Sequence, residues 1–193
     1  MPLIFPATVL TERLLLRPWR VADASALKAA VDANLDHLRA WLPWAMEEPS
    51  PLDVVETRIR KFEEEFAAGT DGIYGIFTRD ESAVLGGTGL HPRIADGVEI
   101  GYWIARSHTR QGYATEAARA LTAVALRLPG VQHVQIRCDE RNSASAAVPR
   151  RLGFQLIDTL VRDALTPGGQ PRRTMVWQTS RGEDVRIPLT RSQ

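Results

Sequence analysis

The chain has little cysteine, histidine or lysine. Cys138 is its one cysteine and its four histidines are scattered, so neither a disulfide framework nor a structural zinc site is expected. Of its 24 basic residues only Lys28 and Lys61 are lysines. The rest are arginines, which make planar, bidentate contacts with phosphate and carboxylate. Neither sign of charge is in excess: the net charge of +1 argues against a general nucleic-acid binder. No run approaches the ~18 consecutive apolar residues of a membrane span. Residues 1–10 lack a basic n-region and are broken by Pro2 and Pro6, so no secretory leader is expected and a cytoplasmic location is. Also missing are a Gly-x-Ser-x-Gly elbow, a Walker A loop and a His-x-x-x-His pair for a metal.

What is present is ordinary globular usage, 44% hydrophobic and 24% charged over 193 residues, which fits a single domain over 1–193 with a polar tail at about 181–193. Residues 13–19 read as a strand with Pro18 near its end. Asp23 stands as an N-cap before an Ala-rich helix, and Leu35, Leu38 and Leu42 continue at helical spacing. Ser50-Pro51-Leu52-Asp53 reads as a helix start, with Ser50 as cap and Pro51 at N1. Val55, Ile59, Phe62 and Phe66 form one apolar face, the acidic run at 63–65 a solvated one, and Gly69 the stop. The period then falls to two. Residues 73–78, 83–90 and 98–104 read as an antiparallel meander with short links. A loop at 106–111 leads into a helix over 112–128. A strand at 131–138, a loop at 139–142, a short helix at 143–152 and a strand pair at 154–162 and 173–179 around Thr166-Pro167-Gly168-Gly169 complete the order. The fold class is α+β, a mixed and mostly antiparallel central sheet of about seven strands flanked by helices.

The informative segment is Glu99-Ile-Gly-Tyr-Trp-Ile-Ala-Arg106 followed by Thr109-Arg-Gln-Gly-Tyr-Ala-Thr-Glu-Ala117. A strand ends, a loop turns and Gly112 opens a helix. Unpaired N–H groups at a helix start carry partial positive charge. Gly112 and Ala114 leave the backbone approachable, Arg110 adds a phosphate-competent side chain and Thr115 a hydroxyl. The segment reads either as a pyrophosphate cradle or as a plain strand-to-helix turn. Gly86-Gly87-Thr88-Gly89 lies inside a strand pattern, so its glycines mark a bulge or a close backbone approach, not a dinucleotide fingerprint.

The chain resembles the GNAT superfamily of N-acetyltransferases, and within it the RimJ/RimL-like group that acetylates ribosomal-protein N-termini. The resemblance rests on four stretches in that group's order: Thr11-Glu-Arg-Leu-Leu-Leu-Arg17, Leu38-Arg-Ala-Trp-Leu-Pro-Trp44, residues 99–117, and Asp139-Glu-Arg-Asn-Ser-Ala-Ser145 with Leu152-Gly-Phe154. It implies acetyl-CoA as co-substrate, no metal, and direct transfer to a primary amine, a protein or peptide N-terminus above all. The same chemistry on an aminoglycoside, polyamine or amino-acid-like compound is the alternative, and a non-catalytic acyl-CoA-binding protein a third. A homodimer is a further family expectation. Arg110, Gln111, Gly112, Tyr113, Ala114 and Thr115 would cradle the pyrophosphate. Trp103, Ile104 and Ala105 would pair with the pantetheine arm as an added strand, and Asn142 and Ser145 would also contact the cofactor. The family places Gln or Arg where Thr109 stands here. Many relatives carry a tyrosine after Asn142 as proton donor to the departing thiolate; this chain has none, which leaves Ser145 as general acid.

Glu99 is the candidate general base, directly or through water, or else a solvent-facing strand residue. His91 is a rival base beside the acceptor. Trp41 and Trp44 either line the acceptor entrance or pack in the core. Arg150 and Arg151 reach the nucleotide phosphate or sit on the surface. Cys138 reads as packing. Pro149, inside a helix, removes one hydrogen bond and favours a kink.

Overall fold

Leu14, Leu15 and Leu16 are all buried, which for a strand of alternating side chains requires cover on both faces. The computed structural model describes residues 2–165 and 171–182. It supplies that cover as three layers, with one sheet between two helical faces. Leu14 and Leu16 join the core that includes Leu121 and Leu152. Leu15 joins the opposite core, with Leu27, Leu38 and Ile59. The tip at 166–169 and the tail beyond 182 lie outside the described residues.

The strands are β1 (Val9–Leu10), β2 (Leu14–Pro18), β3 (Gly72–Thr78), β4 (Val84–Ile94), β5 (Gly97–Ile104), β6 (His133–Asp139), β7 (Gln155–Leu165) and β8 (Pro171–Ser180). The helices are α1 (Ala24–Asp32), α2 (Leu35–Arg39), α3 (Leu52–Ala68), α4 (Tyr113–Ala125) and α5 (Ser143–Leu152). The sheet order is β1-β2-β3-β4-β5-β6-β8-β7. Every neighbouring pair is antiparallel except β5 with β6. The expected meander is therefore present, and the strand missing from the sequence pattern is β1. Two residues are too few to show a period. A turn in which Thr11 N–H and Oγ1 bond the Leu14 backbone holds it in place.

Two expected caps do other work. The Asp23 carboxylate does not cap α1; it accepts from Arg17 at 2.7 and 3.0 Å and from the Arg20 N–H at 2.8 Å. Ser50 does not cap α3, whose N-cap position is Pro51. Its hydroxyl accepts from Arg58 and its N–H donates to Glu48. In both places a nearby arginine organises the polar groups that local spacing assigns to the helix end. Gly69 ends α3 as expected, in the left-handed conformation at φ 67°. The glycines of β4 mark a close approach: a Cβ on Gly86 would lie 2.0 Å from the Trp103 carbonyl oxygen.

The sheet does not close evenly. β5 pairs with β6 only from Gly97↔His133 to Ile100↔Ile136. Beyond that point β5 stays with β4 as far as Ile104, and β6 stays with β8 as far as Asp139. The two strands part at mid-sheet. Among the described residues, no helix is long and apolar enough to cross a membrane, and no cluster of histidine, cysteine and carboxylates is arranged to hold a metal.

Buried Arg17 ties β2 to the start of α1. It is bonded to Asp23, lies 2.6 Å from Glu81 and stacks over Phe77 at 4.1 Å. Burial pushes the Asp23 carboxyl up, but the bonds from Arg17 and Arg20 outweigh it and hold the group below its ordinary value. A carboxyl with a lowered folded-state pKa contributes stability above its unfolded pKa and loses it as pH falls through the folded one. Arg17→Met should therefore cost about 3 kcal/mol at neutral pH, because it leaves buried carboxylate charge uncompensated. In urea denaturation the gap from wild type should narrow below about pH 4 as Asp23 protonates.

Candidate functional site

Where β5 and β6 part, a strand edge is left open. The phase of that edge follows from one bond. Ala105 N–H donates to the Leu85 carbonyl at 2.9 Å, so residues 101, 103 and 105 turn their backbone groups toward β4. The Thr88 hydroxyl, which donates to the Gly101 carbonyl, agrees. Tyr102 and Ile104 therefore present their N–H and C=O groups to the opening. Of the three residues expected to pair with an extended arm, Ile104 has the right phase; Trp103 and Ala105 do not, and Tyr102 takes their place.

The opening belongs to a cleft of about 1120 Å³. At one end of it stands the start of α4. Arg110 (φ 63°) and Gly112 (φ 84°) are both left-handed, which turns the loop sharply into the helix start. No side chain caps α4, so the N–H groups of Tyr113, Ala114 and Thr115 are left for a ligand. Arg110 and residues 112–115 line the cleft. Gln111 does not: its side chain bonds the Ser107 carbonyl and its own carbonyl accepts from Arg13. The Thr109 hydroxyl is spent on the Arg106 carbonyl.

Glu116 fixes this helix start against the β1–β2 turn. Its carboxylate accepts from Thr11 at 2.6 Å, from the Arg13 N–H at 2.9 Å and from Arg13 Nε at 2.7 Å. The Arg13 guanidinium also lies over the Tyr113 ring at 4.6 Å. Burial works against the Glu116 charge, but the bonds from Thr11 and Arg13 prevail and hold its carboxyl below the ordinary value.

Across the opening stands α5. Asn142 accepts from the Ser145 N–H at 3.0 Å and caps α5. The Tyr102 hydroxyl lies 3.1 Å from the Ser145 carbonyl oxygen and 3.2 Å from Ser145 Oγ. Burial pushes the Tyr102 phenol well up. Cys138 lies in the core with its thiol raised by burial, and it also lines the cleft. The α5 arginines diverge: Arg151 lines the cleft, whereas Arg150 sits 5.6 Å over the Trp177 ring.

On the other face of the sheet, His91 and Glu99 are cross-strand partners, as are Gly89 and Gly101 and then Gly87 and Trp103. The glycines clear a flat floor. The His91 ring folds over it, with Nε2 at 3.4 Å from where a Gly101 Cβ would be. His91 Nδ1 bonds Asp71 at 2.5 Å; since a carboxylate only accepts, Nδ1 is the donor, which in the neutral ring is the tautomer with its lone pair on Nε2. Asp71 sits just past the α3 C-cap and just before β3. Glu99 lies 3.5 Å from Arg137. Trp44 is 39% exposed and meets Trp103 edge-on at 6.4 Å, and it lines the cleft with Trp41. That favours an entrance over a core role. Asp71, Tyr102 and Arg137 were not singled out by sequence reasoning. All three become visible only through cross-strand register, which neither strand carries alone.

A family model described as the acetyltransferase (GNAT) domain matches residues 13–155. YdaF of Bacillus subtilis, whose name proposes a ribosomal N-acetyltransferase, is 33% identical over 161 residues, covering 82% of this chain and 86% of that protein. A solved structure described as a probable acetyltransferase superposes with a TM-score of 0.80 at 28% identity, over 90% of this chain and 96% of that one. The RimL ribosomal L7/L12 alpha-N-protein acetyltransferase, solved with Coenzyme A, shares the fold with a TM-score of 0.79 at 22% identity, over 92% and 97% of the two chains.

Glu116→Gln removes the charge that Arg13 and Thr11 bond. It should lower stability by about 1.5–3 kcal/mol at neutral pH, read as a drop in denaturation midpoint that shrinks in acid.

Proposed function

The chain belongs to the GNAT family of acetyltransferases, and on that footing we propose that it transfers the acetyl group of acetyl-CoA to the α-amine at the N-terminus of a protein or peptide. The observation that carries this reading is that one cleft joins an uncapped helix start to the open edge at Tyr102 and Ile104. The first suits a pyrophosphate, and the second suits an amide-bearing arm that pairs like a strand. The naming of YdaF and RimL for ribosomal and alpha-N-protein acetylation supports the choice of acceptor.

The chemistry needs a neutral amine, donors for an oxyanion and a way out for the thiolate. An α-amine has an ordinary pKa of about 8, so part of it is neutral already and a base adds about 10²–10⁴-fold. Glu99 takes that proton, directly or through water. The Asp71–His91 bond supports a second reading in which Nε2 of His91 is the acceptor of the proton. The N–H of Ile104 faces the opening and serves as oxyanion donor. Ser145 protonates the leaving sulfur. Trp41 and Trp44 border the entrance for the chain that carries the amine.

Calorimetry should show acetyl-CoA binding in the micromolar range, and Gly112→Val should abolish it by placing a branched side chain at a left-handed position in the cradle. Thiol release is then measured against peptides with free N-termini, polyamines and aminoglycosides. Peptides should be the best acceptors; turnover confined to the small amines overturns the acceptor, and binding without turnover of any acceptor overturns the enzyme. Glu99→Gln should lower turnover about 100-fold if it is the base. If His91→Gln does so instead while Glu99→Gln stays near wild type, the second reading holds.

A further inference from the structure

The helix after Asn142 lacks the tyrosine that would stand beside a departing thiolate, and it carries a proline at 149. These two peculiarities meet at one atom. In an α-helix the N–H of residue 149 bonds the carbonyl of residue 145. Proline has no N–H, and its ring crowds that carbonyl. The Ser145 carbonyl is therefore released from the ladder of α5 while the helix runs on to Leu152. The Tyr102 hydroxyl takes the place of the missing donor at 3.1 Å. Tyr102 comes from β5, from the stretch beyond Ile100 where β6 has moved away, so its side chain can cross to α5. The same position leaves its oxygen 3.2 Å from Ser145 Oγ. Asn142 holds the other side of Ser145 through its N–H.

We infer that Tyr102 and Ser145 form a two-hydroxyl proton relay to the departing thiolate, registered by Pro149, in which a tyrosine of the sheet replaces the absent tyrosine of the helix. This rests on the acetyl-transfer reading above. When the tetrahedral adduct collapses, the C–S bond breaks and its electron pair goes to sulfur. Ser145 Oγ–H gives its proton to sulfur and takes the one proton of the Tyr102 hydroxyl, which turns from the Ser145 carbonyl to Oγ in that step. The acceptor nitrogen, cationic after attack, gives up its extra proton through Glu99 to solvent and is left as a neutral amide, and solvent returns one proton to Tyr102. Burial keeps the phenol protonated at working pH, so the relay is loaded before each turnover. Tyr102 acts through Ser145 and is a positioning and proton-supplying residue.

The test uses acetyl-CoA and whichever acceptor of the panel wild type turns over fastest, so a wrong acceptor class does not disturb it. Tyr102→Phe should lower kcat roughly 10- to 100-fold while acetyl-CoA affinity stays within about twofold. Tyr102→Phe with Ser145→Ala should be no slower than Ser145→Ala alone, because groups acting in series are not additive. Pro149→Ala restores the helix bond to the Ser145 carbonyl. It should raise the melting temperature yet lower kcat, and in its background Tyr102→Phe should cost less stability than in wild type. That last readout needs no turnover. The relay is overturned if Tyr102→Phe keeps kcat within about threefold of wild type, or if the double variant loses the product of the two single losses. It is also overturned if Tyr102→Phe costs the same stability with and without Pro149.

Discussion

β5 and β6 share four residue pairs and then separate, and each is held on its outer side where they do. β5 remains bonded to β4 through Ile104, and β6 remains bonded to β8 through Asp139. A right-handed twist rotates adjacent strands relative to one another. Two strands clamped by different neighbours diverge once their own pairing stops. That divergence supplies unpaired edge groups at Tyr102 and Ile104, room for Tyr102 to reach α5, and a gap onto which the start of α4 opens. Shifting β5 by one residue would exchange the groups it offers and the faces of Glu99, Tyr102 and Trp103 together.

The many arginines sort by environment more than by composition. Arg13, Arg17 and Arg58 are parts of the frame, each bonded to a partly or fully buried carboxylate, Glu116, Asp23 and Glu48. Arg150 lies against an aromatic ring. Arg110 and Arg151 remain on the cleft. A near-neutral chain can thus serve an anionic co-substrate with local positive charge and helix-start N–H groups, and no global basic field is required.

Much of the fold was legible because periodicity and punctuation are local. Gly69, the meander over β3 to β5 and the apolar face from Val55 to Ile59 stand where spacing put them. The misplaced caps at Asp23 and Ser50 share one cause. Short polar side chains near a helix start also bond a nearby arginine, Arg17 of β2 at Asp23 and Arg58 of α3 at Ser50, and charge-assisted bonds are the stronger. The helix start at 112–115 was legible because a glycine-opened helix after a strand is itself a local pattern. The phase of β5, the Asp71–His91 bond and the Tyr102–Ser145 contact were not, since each joins residues far apart in the chain.

By itself, then, the sequence determined the element order, the family resemblance, and which loop opens a helix with unpaired backbone N–H groups. Those depend on neighbouring residues whose spacing is readable. Only the tertiary structure decided that Ile104 and Tyr102, not Trp103 and Ala105, offer the open edge, that Gln111 turns away, and that Pro149 and Tyr102 serve the same carbonyl. Each of those outcomes is set by strand register and by divergence in mid-sheet, and register is a property of the paired strands that neither strand carries alone.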